Sequence, residues 1–189
     1  MTHHTRWLMT LLFAALASHA ALAQKVKLAT SMGDIVIQLD ADKAPKTVAN
    51  FVQYVKDGHY DGLIFHRVIA TFMIQGGGFD ADMREKPTRA PIPLESRNGL
   101  NNLRGTVAMA RTNVPDSATS QFFINVVDNA FLDAANARDG NGYAVFGKVV
   151  SGMEVIDKIR EVPVGNRGPH QNVPQQPVVI RKATLESSK

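Results

Sequence analysis

The stretch from Phe65 to Phe79, FHRVIATFMIQGGGF, places an arginine and a glutamine inside a run that otherwise has the composition of a protein core. Charged and amide side chains are rarely fully buried unless they have partners. Arg67 and Gln75 are therefore expected either to be held by other side chains or to face a ligand. Taken singly, each residue favours the first interpretation, in which Arg67 pairs with a carboxylate and the aromatic residues are core.

Two short strands with a turn between them would bring these polar residues together. If Leu63–Val68 and Phe72–Gln75 are both strands, alternation puts Arg67, Met73 and Gln75 on one surface, because every second residue shares a face. A further strand offers two more residues with the same spacing, Gln121 and Phe123. The same alternation predicts one face with Phe65, Arg67 and Ile69 and an opposite face with His66 and Val68.

Other kinds of catalytic chemistry have little support in the sequence. Ser117 and Ser120 lack the G-x-S-x-G elbow of many hydrolases, and Gly76–Gly78 lacks the spacing of a phosphate-binding loop. After the N-terminal region the histidines are scattered and form no metal motif, so no metal site and no cofactor is predicted. His66 is interpreted as a structural residue, and the three glycines as allowing a tight bend or a close backbone approach.

The elements that must position these residues are mostly strands. Many strands in so short a chain favour a closed or nearly closed antiparallel sheet, with loops at Asp80–Leu103 and Gly165–Pro177. The predicted helices are Lys43–Asp57 and Gly152–Arg160. The predicted strands are Val26–Thr30, Ile35–Leu39, Leu63–Val68, Phe72–Gln75, Thr106–Ala110, Phe122–Val126, Val145–Val150 and Val178–Leu185.

The N-terminus has the pattern of a secretory signal peptide. Arg6 precedes the apolar run Trp7–Ala17, and Ala21-Leu22-Ala23 matches a cleavage site. The apolar run is shorter than the roughly 20 residues that span a bilayer, and the alternative is a buried N-terminal helix. Cleavage after Ala23 would leave residues 24–189 as one domain.

Charge and composition exclude some partners. The chain has 21 basic and 17 acidic residues, a formal net charge of +4, and removal of Arg6 with the leader lowers this to about +3. No basic block of the kind that binds nucleic acid is present, and no apolar run after residue 23 is long enough to cross a membrane. The absence of cysteine excludes thiol and disulfide chemistry.

Several motifs resemble those of one enzyme family. FHRVIATFMIQGGGF, GTVAMAR and SATSQFFINVVDNAFLD are similar to the defining motifs of the cyclophilin-type peptidyl-prolyl cis-trans isomerases, and YAVFGKVVSGMEVIDKI resembles the strand and helix that follow them. The resemblance runs from about Val26 to Leu185. It implies a mainly β fold, a closed eight-stranded antiparallel barrel capped by two α-helices, and an isomerase that needs no cofactor.

The resemblance also implies a set of site residues. Arg67 matches the catalytic arginine and Gln75 the glutamine that orients it, whereas Ala110 and Arg111 match a pair whose backbone contacts the substrate, and Gln121 matches a further groove residue. The residues that match the proline pocket are Phe72, Met73, Phe123 and Leu132.

Three positions depart from the pattern of many family members. Arg111 stands where asparagine is frequent, which is of little consequence if the backbone makes the contact. Phe131 stands where many eukaryotic members have tryptophan, and Tyr143 where they have histidine. Because that tryptophan contributes to cyclosporin binding in the family, weak binding of the drug is expected.

The expected partners are proline-containing unfolded or flexible polypeptides, and the protein is expected to be a monomer. The leader and the NVPQQPVVI tail look most like periplasmic members from Gram-negative bacteria, so periplasm is the expected location, or secretion if the host lacks an outer membrane. Two other functions stay open at this point. One is a proline-binding module or chaperone without turnover, and the other is a secreted hydrolase.

Overall fold

A computed structural model describes residues 24–186. The predicted signal peptide, residues 1–23, lies outside the described residues. The two α-helices of the described part are α1 (Pro45–Lys56) and α2 (Met153–Arg160). Its ten strands are β1 (Lys25–Thr30), β2 (Gly33–Leu39), β3 (Leu63–Ile69), β4 (Met73–Asp80), β5 (Thr106–Met109), β6 (Phe122–Asn125), β7 (Val145–Ser151), β8 (Val164–Arg167), β9 (His170–Pro174) and β10 (Ile180–Glu186).

Eight of these strands form one antiparallel sheet that curves into a half-barrel. Their order is β10-β1-β2-β7-β5-β6-β4-β3, so β5, β6, β4 and β3 lie side by side at one end. β1 and β2 form the predicted hairpin, in which Thr30 pairs with Gly33. The arrangement places the motifs quoted above on neighbouring strands.

The prediction of a closed barrel is wrong, because the edge strands β10 and β3 do not pair along their length. They meet through one bridge, Ile64 with Val179, and through two neighbouring backbone hydrogen bonds, Gly62 N to Ile180 O at 2.8 Å and Phe65 N to Val178 O at 3.0 Å. Pro177 has no N–H to extend this contact, and β10 begins only three residues later. The sheet is therefore open.

The helices cover the sheet with apolar faces. Helix α1 starts at Pro45, a favoured first position, and Glu95 accepts hydrogen bonds from the free N–H groups of Lys46 and Thr47 at 3.1 and 2.8 Å. From this helix, Phe51 lies 5.0–5.5 Å, centroid to centroid, from Tyr60, Phe122 and Phe146. Helix α2 buries Val155, Ile156 and Ile159 in the same core.

The two predicted loops have different outcomes. Residues 81–103 contain neither a helix nor an extended strand, but the segment is anchored, since Ile92 bridges to Ala118 and Arg89 N donates to the Tyr54 hydroxyl at 2.8 Å. The second loop is partly wrong, because β8 and β9 form a separate hairpin there. None of the helices within residues 24–186 is both long and apolar enough to span a bilayer.

Candidate active site

A row of polar side chains runs across strands β3 and β4 to Gln121, the residue just before β6. Arg67 on β3 donates from Nη1 to Gln75 Oε1 on β4 at 3.4 Å, and Gln75 Nε2 donates to Gln121 Oε1 at 2.9 Å. No carboxylate of residues 24–186 lies within salt-bridge distance of Arg67. The interpretation in which Arg67 merely pairs with an acid is therefore wrong, and most of its N–H donors remain available to a ligand.

The strand register explains why these side chains converge. Arg67 is directly opposite Gln75 in the β3–β4 ladder, and Gln75 is opposite Phe123 in the β4–β6 ladder. Cross-strand partners lie about 4.5–5.5 Å apart and project from the same face. Gln121, two residues before Phe123, reaches the same surface. The predicted placement of Arg67 and Gln75 on one surface is confirmed, and Gln121 and Phe123 lie on that surface as well.

The predicted faces of β3 are wrong on the N-terminal side of Arg67. The β3–β4 register shifts twice, between Leu63 and Phe65 and again between Phe65 and Arg67, and an extra residue at a bulge turns the following side chains to the other face. Phe65 therefore packs in the main core with Val68. His66 lies beside Arg67, where both line one cleft.

An apolar cluster, called the pocket from here on, adjoins the polar row and is separate from the main core. Three predicted pocket residues, Met73, Phe123 and Leu132, are buried here, and Phe72, Ala110 and Tyr143 pack against them. The cluster is completed by four residues that were not predicted to belong to the site, Ala108, Val145, Ile69 and Leu100. Ala108 and Val145 could have been found from strand pairing, since Ala108 is opposite both Phe123 and Val145.

One side of the pocket is open to solvent at Phe131. Its side chain is among the exposed large apolar groups, at 58% exposure, and its ring centroid lies 5.5 Å from that of Phe72. A pair of aromatic rings, one exposed and one half-buried, beside a buried apolar floor is a surface on which a proline ring can pack.

The side chain of Arg111 makes contacts that the family resemblance did not indicate. Its side chain is 2% exposed, forms an ion pair with Asp139, and donates from Nε to Gly142 O at 2.8 Å. The guanidinium carbon lies 4.6 Å from the Tyr143 ring centroid, and Tyr143 in turn contacts Phe123 edge to face at 5.6 Å. Arg111 thus holds the 139–143 segment against the pocket.

The charge of that ion pair does not change near neutral pH. The backbone N–H of Asn141, then the Arg111 guanidinium, and then the N–H of Gly142 lower the pKa of Asp139 to about 2. A carboxyl group with this pKa stays ionised far below neutrality, so the contact between Arg111 and Asp139 persists throughout the ordinary working range.

Gly78 permits the close approach of Gln121. A Cβ at position 78 would lie only 2.6 Å from Nε2 and 2.7 Å from Cδ of Gln121. The predicted need for close approach at the glycine triplet is confirmed here. The triplet therefore leaves room for the amide that orients Gln75.

The Gly78→Ala variant should displace Gln121 and weaken the hydrogen bond to Gln75. Loss of one such bond is worth about 1 kcal/mol, so kcat/KM toward an Ala-Pro peptide should fall by about fivefold. In a protein that already carries Gln121→Ala, Gly78→Ala should lower kcat/KM little further, because the side chain that it would displace is absent. Additive losses in this double-mutant cycle, measured by steady-state kinetics, would contradict the explanation.

His66 is buried beside the polar row in a neutral form. It is 5% exposed, its ring centroid is 4.7 Å from that of Phe79, and Nδ1 has no hydrogen-bond partner among the described residues. Burial, followed by electrostatic repulsion from His170 and then from Arg67, lowers the pKa of His66 from 6.5 to about 4. A neutral His66 adds no charge beside Arg67 at neutral pH.

This pKa predicts a loss of stability in mild acid. Because the unfolded chain protonates His66 near pH 6.5 and the folded chain only near pH 4, the free energy of unfolding falls as pH decreases through that window. The expected loss from His66 alone is about 2 kcal/mol between pH 7 and pH 5. Urea unfolding at both pH values measures it.

The control for this measurement is His66→Gln, which removes the titrating group. His59 is also buried with a lowered pKa, so it too lowers the free energy of unfolding in mild acid. Because the variant keeps His59, the difference in pH dependence between wild type and His66→Gln is the contribution of His66. Equal pH dependence in the two proteins would show that His66 does not carry the effect.

The hairpin β8–β9, which was predicted to be a loop, borders a cleft next to Arg67. A cleft of about 410 Å³ lies between the hairpin residues 169–172 and the side chains of His66, Arg67, Phe79 and Gln121. The ring of His170 contacts Phe79 at 4.9 Å. The Gly168-Pro169 dipeptide was the available signal, because such pairs mark tight turns.

The environment of Ser120 argues against the hydrolase alternative. Ser120 is fully buried, and its hydroxyl donates to Gly77 O at 2.8 Å inside the sheet. A serine in this position cannot meet a substrate, and its role is to hold the glycine segment in place.

Comparisons with known proteins agree with this geometry. Residues 25–185 match the family model described as cyclophilin type peptidyl-prolyl cis-trans isomerase/CLD. The chain is 58% identical over 166 residues to peptidyl-prolyl cis-trans isomerase A of Dickeya dadantii, covering 88% of this chain and 86% of that protein. It is 55% identical over 157 residues to peptidyl-prolyl cis-trans isomerase B of Escherichia coli, covering 82% and 96%.

A solved structure shares the fold. The cyclophilin-type isomerase of Cryptosporidium parvum, determined in the presence of the dipeptide Ala-Pro, superposes with a TM-score of 0.72 at 26% identity, covering 87% of this chain and all of that one. On its matched motifs, its relatives and its fold, the chain belongs to the cyclophilin-type peptidyl-prolyl cis-trans isomerases.

Proposed function

We propose that this isomerase accelerates rotation about X-Pro bonds in exported polypeptides, with Arg67 as the catalytic residue and Gln75 as the residue that orients it. One observation carries the assignment: the Arg67 guanidinium, which has no carboxylate partner within residues 24–186, lies next to an apolar pocket. A buried or half-buried cation of this kind is retained where a ligand uses it.

The reaction needs a donor at the proline nitrogen. Resonance in the planar peptide bond creates a barrier of roughly 18–20 kcal/mol. In the twisted transition state the nitrogen regains its lone pair, so a fixed donor stabilises that state more than either planar isomer. Arg67 suits the role because guanidinium is charged at every working pH and its planar fork can donate to two groups at once.

The two glutamines keep the donor in place. Gln75 accepts from Arg67 and donates to Gln121, so each amide is oriented by the next one. Arg67 would otherwise sample many rotamers, and a donor that is already oriented loses less entropy when the substrate binds.

The pocket holds the proline ring while the preceding carbonyl turns. We assign this role to Phe72, Met73, Phe123 and Leu132, which cluster on the same side of the sheet as the polar row. Burial of a ring-sized apolar group is worth about 1.5–3 kcal/mol, enough for weak binding and fast release. Ala110, Arg111, Phe131 and Tyr143 would contact the chain on either side of the ring.

The proposed substrates are unfolded or flexible polypeptides of varied sequence. The basis is a pocket that is open at Phe131 and selects a ring, not a long motif. Steady-state kinetics on peptides that differ in the residue before proline would test this, since a strict requirement for one residue would count against a general role in folding. The alternative of binding without turnover has no observation in its favour, and the two relatives compared above are named as isomerases.

Export to the periplasm is proposed from the sequence of the first 23 residues. If the leader is removed after Ala23, the protein recovered from the periplasmic fraction begins at Gln24. Intact-mass measurement of that fraction tests both location and cleavage, and an uncleaved cytosolic chain would contradict the proposal.

Weak cyclosporin binding is proposed from Phe131, whose indole counterpart in many relatives supplies an additional ring and an N–H donor. Isothermal titration with wild type and Phe131→Trp would test it, with tighter binding expected for the variant. A monomer without nucleic-acid or membrane partners is proposed from the mild charge, and sedimentation checks the oligomeric state.

A further inference from the structure

A chain of buried amide groups lies directly behind the pocket, and the isomerase mechanism above does not use it. Asn102, Asn125 and Asn129 are at most 2% exposed. Asn129 Nδ2 donates to Asn125 Oδ1 at 2.7 Å, and Asn125 Nδ2 donates to Asn102 Oδ1 at 3.2 Å and to Thr106 Oγ1 at 2.9 Å. Each side chain is thereby fixed by its neighbour.

One end of the chain reaches Phe72. Asn129 Nδ2 also donates to Phe72 O at 2.9 Å, and this carbonyl accepts a second bond from Val126 N at 3.1 Å. Two donors on one carbonyl determine the orientation of the peptide that carries the Phe72 side chain. The wall of the pocket formed by Phe72 is thus attached to position 129.

The other end reaches the turn that carries Phe131 and Leu132. Leu132 N donates to Asn129 O at 2.9 Å, and Asn129 N donates to Asn102 O at 2.7 Å. Asn102 donates from its backbone N and from Nδ2 to Asp133 Oδ1, at 2.7 and 3.0 Å. Both sides of this turn are therefore held by the same amide network.

We propose that Asn129 is a positioning residue that sets the separation between Phe72 and the Phe131–Leu132 turn, and with it the fit of the proline ring. Asn129 is the one member that bonds to both walls. An unpaired donor in a buried site is strongly unfavourable, so the arrangement in which the Nδ2 groups of Asn102, Asn125 and Asn129 all donate disfavours others with a different separation. The inference rests on the proposed role of the pocket, not on that of Arg67.

Two variants test the inference, Asn129→Ala and the milder Asn129→Ser, which keeps one hydroxyl donor. For an Ala-Pro-Phe peptide, Asn129→Ala should raise KM about tenfold while kcat changes less than about threefold, because ring binding is impaired and the Arg67 donor is intact. The KM of Asn129→Ser should lie between that of Asn129→Ala and that of wild type. Assays are run well below the unfolding temperature of each protein.

The matched control is Asn136→Ala. Asn136 Nδ2 donates to Ala130 O of the same turn at 3.0 Å, but from the exposed side and without a bond to Phe72. Like Asn129→Ala, this control removes an asparagine amide, and it also removes one hydrogen bond to the turn. Its KM should stay within about twofold of the wild-type KM.

A spectroscopic readout separates positioning from general loss of structure. In wild type, nuclear Overhauser contacts should connect the rings of Phe72 and Phe131 and, at the far side of the pocket, those of Phe123 and Tyr143. Asn129→Ala should weaken the first contact and preserve the second. Loss of both contacts, an unchanged KM in a folded variant, or failure of both variants to fold would overturn the inference.

The proposed function can fail separately. If wild type binds the peptide but does not accelerate exchange, the catalytic assignment is lost, and the positioning inference is then judged by the peptide dissociation constant and the two ring contacts. If wild type does not bind the peptide at all, both are contradicted.

Discussion

The Arg67→Ala variant is expected to lose about 10²-fold or more in kcat/KM, the effect of removing a donor that acts on the transition state. The fold should survive, because Arg67 makes one long hydrogen bond, to Gln75, and no ion pair with any carboxylate of residues 24–186. The loss should appear mainly in kcat, since the apolar pocket that binds proline is unchanged. Protease-free kinetics on an Ala-Pro-Phe peptide measures it.

The Arg67→Lys variant is the matched control for charge. Lysine keeps the positive charge but has no planar fork that can donate to the proline nitrogen while bonded to Gln75. Activity should therefore recover only in part. Wild-type activity in Arg67→Lys would show that a positive charge alone is sufficient. A wild-type kcat in Arg67→Ala would show that Arg67 is not the catalytic residue.

The Phe123→Ala variant should have the largest effect on stability among the site residues. Phe123 is 4% exposed and contacts Tyr143, with Gln75 and Ala108 opposite it in the two adjoining ladders. Removal of a buried phenyl group typically lowers the free energy of unfolding by about 3–5 kcal/mol. The pocket also loses its floor, so KM should rise strongly in whatever fraction remains folded.

Phe131→Ala is the control for Phe123→Ala, because it removes the same phenyl group at an exposed position of the same pocket. With 58% of its side chain exposed, Phe131 should contribute less than about 1 kcal/mol to stability. Urea unfolding of both variants would give the difference. Equal losses at the two positions would mean that the pocket is not built on a buried floor as described.

The polar row could be predicted from sequence because it depends on local alternation and on short strands. Arg67 and Gln75 face each other across one turn, and spacing alone indicated this. The faces of Phe65 and His66 could not be obtained in the same way. Two register shifts lie between Leu63 and Arg67, and a bulge inverts alternation without a residue type that marks it.

The hairpin β8–β9 shows a second limit. Prolines and glycines in residues 165–177 were interpreted as loop, yet the segment forms a paired hairpin whose tip, residues 168–169, lies by the cleft next to Arg67. Proline is compatible with strand ends where no N–H is needed. Composition could not show that the hairpin lies near β3, because that contact spans about a hundred residues of sequence.

The open edge of the sheet and the amide network depend on tertiary contacts. The motifs implied eight strands, but whether β10 closes onto β3 is determined by a few hydrogen bonds around Pro177. Asn102, Asn125 and Asn129 had no special signal in sequence, since asparagine is more often found in turns and at the surface. Their importance became visible only through burial and mutual pairing.

The most direct test of the central claim is exchange spectroscopy by NMR on the cis and trans forms of an Ala-Pro-Phe peptide, with purified residues 24–189 and with the Arg67→Ala variant. Uncatalysed exchange takes about 10–100 s at 25 °C, so acceleration is seen directly and without a coupled protease. Exchange should be fast with wild type and nearly uncatalysed with the variant, while both bind the peptide. Equal acceleration by the two proteins would contradict the claim that Arg67 carries the reaction.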